Sequence, residues 1–210
     1  ADGTSEAKII FTSIHDDTAG GDTNGNGNAT SGGINQWYGM HFSAGSGGSA
    51  LTHTQIRCMG WGNWSVAVAG ANPSFTDCRI SDGGYGGLAL SAGAMPTVTR
   101  CDFQRLNSVP AVLGATIDAA AGFIDTTASN CTGGAYLRID VGTLAASSTL
   151  GPRNGIQGVL VYAAGVNVPA GITLTLEAGL VMKALSPLTF FVNGTLNANG
   201  TAAQPGVLTS

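Results

Sequence analysis

The chain of 210 residues carries 33 Gly, only 10% charged residues and a formal net charge of −4. Lys stands only at positions 8 and 183 and Glu only at 6 and 177, which excludes a helical bundle or coiled coil, since long helices draw on such residues. The 43% hydrophobic content at so small a net charge excludes a disordered chain; no basic surface points to nucleic acid, and no apolar run is long enough for membrane insertion.

From the N-terminus, KIIFTS (8–13) reads as a strand, followed by Asp16 and Asp17 and a Gly/Asn-rich loop. Within that loop DTNGNG (22–27) fits the opening of a calcium loop, which takes oxygens from alternate positions and turns at Gly. Its candidate ligands are Asp22, Asn24 and Asn26, with Asp17 joining them. The run reads equally as a plain surface loop, and its twelfth position is Gly33, not the Glu of an EF-hand. No other cofactor is expected.

A repeat dominates the middle of the chain. NPSFTDCRI (72–80) lies over MPTVTRCDF (95–103) at a step of 23 residues, apolar on apolar throughout. Asp77 falls over Arg100 and Arg79 over Asp102, a reciprocal charge swap expected of neighbouring strands. LTHTQI (51–56) fits one step earlier. ASNCT (128–132) fits one step later after a longer loop, which makes an inward column of Cys78, Cys101 and Cys131 and extends an outward Thr52, Thr76, Thr99 column to Ser129. These thiols are expected to be free and stacked, as small buried hydrophobes. A second strand series, SVAVAGA, GLALSAGA and PAVLGAT, follows each bend. The period predicts an all-β, right-handed parallel β-helix of about nine coils of 22–23 residues. It forms one domain over 1–210: N-terminal coils with the loop (1–50), regular Cys-column coils (51–135) and C-terminal coils (136–210).

In the last third, alternation in ITLTL turns Ile172, Leu174 and Leu176 inward and Thr173 and Thr175 outward. The runs VPAGITLTLEAG and VNGTLNANGTAAQPGVLTS resemble the right-handed, pectin-lyase-like β-helix domains of large secreted bacterial and archaeal surface proteins. The sequence departs from that pattern at Ala178, where Pro is common, and at GVLTS in place of IVFTS. The resemblance implies the fold and a secreted or cell-surface setting; it leaves function open, because such modules serve as stalks, adhesins and enzyme scaffolds.

No pair of carboxylates at working separation and no Gly-His-Gly or Arg-x-Lys run accompanies the solenoid, so the expected role is non-enzymatic. Residues 198–210 also align without a gap on residues 1–13. Together with uncapped ends, this predicts head-to-tail stacking of copies into a filament or stalk through Ile9, Ile10, Phe11, Val207 and Leu208. The alternative is a glycan-binding adhesin module, or a non-catalytic domain of a polysaccharide-active enzyme, with Trp37, Tyr38, Trp61, Trp64 and Tyr85 facing surface glycans. An exposed aromatic row would favour the adhesin.

Overall fold

The computed structural model describes residues 1–62, 65–152, 156 and 159–209. It is a parallel β-solenoid of about 7 turns, 4% helical. The longest sheet has eight strands, one from each pass of the backbone: Met40–Phe42, Val66–Ala69, Leu88–Ser91, Val112–Thr116, Leu137–Val141, Val159–Tyr162, Val181–Ala184 and Val207–Thr209. A second sheet stacks Ile9–Phe11, Thr54–Arg57, Arg79–Gly83, Asp102–Leu106 and Thr127–Ser129. A third, short sheet holds Ala50–Thr52, Ser74–Thr76, Thr97–Thr99 and Phe123–Ile124. Beyond a 3-10 turn at Asp118–Gly122, Ser148–Leu150, Thr173–Glu177 and Thr195–Asn199 form a new sheet, and Val166–Val168 pairs with Phe190–Val192.

Nine coils are too many. The first turn spends most of residues 12–39 on one loop, and later steps lengthen to 25 and 26 residues. About seven turns at the ~4.8 Å strand spacing give a rod of about 34 Å.

The 23-residue register of the middle coils is the observed one: Phe75 pairs with Val98 and Arg79 with Asp102. Period-2 alternation turns every second side group into the rod. Val66, Leu88, Val112, Leu137, Leu160 and Met182 stack on the long sheet and Ile56, Ile80 and Phe103 on the second, all essentially inaccessible. PAVLGAT carries a bulge, where the pairing of Val112–Thr116 with the next strand slips.

The Cys column differs from the sequence reading. Phe103 pairs with Ala128, so the residue stacked on Cys101 is Thr126, not Cys131. The column is Thr54, Cys78, Cys101, Thr126, and each hydroxyl or thiol donates to the carbonyl two residues upstream, at 3.1–3.4 Å. Cys131 follows the coil's other bend, stacks after Leu106 and donates to Ser129 at 3.3 Å. The two bends share a left-handed turn residue in each coil. One is built on His53, Asp77, Arg100 and Asp125, the other on Cys58, Asp82, Arg105 and Asn130, all with φ between 46° and 63°. Ser129, left-handed Asn130 and Cys131 at the second bend repeat the order of Thr76, left-handed Asp77 and Cys78 at the first, so an alignment on Cys alone lands on the wrong one. For the same reason Ile124, not Ser129, continues the Thr52–Thr76–Thr99 column. All four cysteines are free thiols.

The match between residues 1–13 and 198–210 joins different faces. Ile9–Phe11 lies on the second sheet and Val207–Thr209 on the long one, so the two segments are not equivalent parts of a coil. No helix among the described residues is long and apolar enough to cross a membrane.

Candidate functional site

Most ion pairs among the described residues lie along the second sheet and its bends, while Arg138 and Asp140 pair at 2.8 Å on the long sheet. Arg100 grips Asp77 bidentately at 2.7 and 2.8 Å, with His53 Nε2 3.9 Å from the same carboxylate. Arg79 reaches Asp102 at 3.2 Å, and Thr127 donates to the other oxygen of that carboxylate. A further pair, Arg105 on Asp82 at 2.6 and 2.8 Å, obeys the same 23-residue spacing and adds a rung that the sequence reading lacks. Arg57 Nε lies 2.7 Å from Asp16 Oδ2, an ion pair off the line of its N–H. The Arg100 guanidinium holds the Asp77 carboxyl below its ordinary range. Burial pushes Asp82 up, but hydrogen bonds from Arg105 and Ser81 carry it lower still. Asp16 behaves likewise: burial raises it, and Thr12, Thr18 and Arg57 more than offset that. These carboxylates are thus ionised and committed to guanidinium partners.

In the Gly/Asn-rich loop, Asp22 turns inward on its own backbone, accepting from Asn26 N at 3.0 Å and Gly27 N at 2.8 Å. Asn24 Oδ1 accepts from Asn26 N, and the amides of Asn24 and Asn26 both donate to Thr30. Asp17 keeps one buried oxygen without a partner. Among the described residues no group of three His, Cys, Asp or Glu converges as a metal cluster would.

Two adjoining grooves form where the long sheet begins. The outward row of its first strands is His41, Ala67 and Ala89. The two alanines leave a trough of about 410 Å³, lined also by Tyr38, Met40, Trp61 and Ser91, a volume within the range of small-ligand sites. Tyr38 is 71% and Trp61 58% exposed. Gly62, at φ +78°, lets the Tyr38 ring lie against the backbone; a Cβ there would stand 3.0 Å from the ring. On the far side of Trp61 a second groove of about 370 Å³ is lined by Asn35, Gly60, Gly84, Tyr85 and Ser108. The Asn35 amide fills the place a Cβ of Gly84 would take, and Ser108 donates to the Gly84 carbonyl at 3.1 Å. Trp61 therefore stands between an apolar trough and a polar shelf. Trp37 belongs to neither: it packs half-buried on the core, its indole donating to Arg57 O at 2.7 Å. Tyr85 is half-buried in the shelf. Trp64 lies outside the described residues.

At both ends of the rod the inward row is open. Phe11 stacks on fully buried Ile56 yet is 36% exposed, and Leu208 stacks on fully buried Met182 yet is 49% exposed. Val207 and the outward-facing Ile10 are also exposed, and Ile9 is half-buried. Beside Leu208 a hollow of about 370 Å³ is lined by Leu176, Leu180 and Met182.

The geometry defines a parallel β-solenoid with charge-paired bends, an aromatic trough and open ends. The sequence matches no family model, and neither a curated protein nor a solved structure matches it.

Proposed function

We propose that this protein is a non-enzymatic structural β-solenoid of a secreted or surface setting, which stacks end to end on further copies into a filament or stalk. The open inward rows carry this reading. Apolar residues that are fully covered one coil deeper are bare at Phe11 and Leu208, and the strands there keep an unpaired edge. Such edges are templates for strand addition. A contact between unlike ends does not close on itself, so it propagates. The commitment of Asp16, Asp77, Asp82 and Asp102 to arginines speaks against paired carboxylates free for hydrolysis. Sedimentation over a range of concentrations, with negative-stain imaging, tests the proposal. Rods whose length grows with concentration, and which shorten in Phe11→Glu or Leu208→Glu, are expected; a concentration-independent monomer overturns it.

A second reading, glycan binding, is favoured by the exposed Tyr38 and Trp61. A sugar ring has an apolar face for the indole and hydroxyls for the shelf beyond it. Retarded migration in gels loaded with polysaccharide, lost in Trp61→Ala with rod formation unchanged, is the outcome that reading requires.

A further inference from the structure

The sequence contains five Asn–Gly pairs, beginning at Asn24, Asn26, Asn154, Asn193 and Asn199. Asn154 lies outside the described residues. The other four occupy contrasting surroundings. Asn193 and Asn199 are built into the solenoid: the Gly194 N–H donates to Val168 O at 2.9 Å, and Asn199 closes a strand paired with Glu177. A Cβ on Gly194 would strike the carbonyls of Pro169 and Ile172, and one on Gly200 would stand 2.9 Å from Gly206 N. Gly25 and Gly27 instead lie in the exposed loop with nothing within 4 Å of a Cβ position. Among the described residues the Gly25 N–H makes no hydrogen bond. The Gly27 N–H is bonded only to the Asp22 carboxylate. At Asn24 the amide oxygen Oδ1 accepts from Asn26 N, and the amide nitrogen Nδ2 lies 3.2 Å from Thr30 Oγ1 and 3.4 Å from His15 Nδ1.

From this contrast we infer that the 22–27 loop is a site of spontaneous deamidation, Asn24 reacting first and Asn26 after it. The following glycine's backbone nitrogen attacks the Asn Cγ. A new bond forms between that nitrogen and Cγ, and the nitrogen gives its proton to solvent. The bond from Cγ to Nδ2 breaks, and Nδ2 leaves as ammonia once protonated. Water then opens the five-membered imide at either carbonyl, giving Asp or isoaspartate. Water is consumed, ammonia is released and nothing is oxidised or reduced. Ring closure needs an unhindered glycine nitrogen that can rotate onto the Asn amide. The loop provides this, whereas the solenoid pairs must first open locally. Each event adds one negative charge beside Asp22, on a protein whose formal net charge is only −4.

Peptide mapping by mass spectrometry, after incubating the folded protein in mildly alkaline buffer, tests the assignment. The loop peptide should gain one mass unit at Asn24 and then a second at Asn26, with isoaspartate present. Asn193 and Asn199 should react at least about tenfold more slowly in the folded protein, and catch up when it is unfolded in urea. The intact protein should shift to more acidic species, and Asn24→Gln with Asn26→Gln should remove the fast phase of that shift assigned to the loop peptide. A loop peptide unchanged in the folded protein while the unfolded protein reacts overturns the inference. So does folded-state reaction at Asn193 or Asn199 as fast as at Asn24.

Discussion

The bends turn through L-residues in a region that costs about 1–2 kcal/mol each. The fold recovers part of this cost by keeping the backbone ladder intact: the N–H of His53, Asp77 and Arg100 bonds the next coil at Thr76 O, Thr99 O and Ile124 O. At the bend of His53, Asp77, Arg100 and Asp125 the next residue points inward and donates two residues back, and Thr and Cys both fill that role. Cys78→Thr and Cys101→Thr are therefore expected to keep stability within about 1 kcal/mol in denaturant titrations. In the folded wild type, half-buried Cys131 should label with thiol reagents before the three buried cysteines. The ion-pair rungs predict a pH response. Asp16, Asp77 and Asp82 have carboxyls lowered by folding, so their stabilisation is complete above the unfolded carboxyl range, about 3.9. It is lost as pH falls through the lowered folded values. Melting temperature should drop in that acid window, and Asp77→Asn with Asp82→Asn should flatten the drop. Two of these rungs are legible in the sequence because opposite signs recur one coil apart. The rung of Asp82 and Arg105 is harder to read because it is a single pair, without the reciprocal swap that marks the other two.

At the scale of the element, a strand is held by what stacks above and below it. Phe103 lies between Ile80 and Ala128 and is fully buried. Phe103→Ala should cost about 3–5 kcal/mol in urea unfolding, whereas substitution of Gln55 in the outward row should cost little. Alternation and period are enough to read most strands of the middle coils, since a one-residue slip would turn every apolar residue outward. What they do not reveal is where loops interrupt the period. The 12–39 loop and the Asp118–Gly122 turn lengthen their coils without altering any local pattern. The place of Cys131 is hidden for the related reason that Ser129-Asn130-Cys131 mimics the first bend while standing at the second. The trough is partly legible: Trp61 and Tyr38 are visible as aromatics among glycines. Its floor of Ala67 and Ala89 emerges only when three coils lie side by side.

The whole molecule is a one-dimensional stack in which each coil touches only its neighbours, and its hydrogen bonds run along the rod. This orientation matters mechanically. A load applied between residues 1 and 209 pulls those bonds apart in sequence, like a zip, and never shears a whole sheet at once. Under optical tweezers the rod should yield coil by coil at low force. Each step should release roughly 73 Å of backbone, about 23 residues at ~3.4 Å each less one strand spacing. Coils joined by Asp–Arg rungs should give the taller peaks, and acid should erase that difference while leaving the step length unchanged.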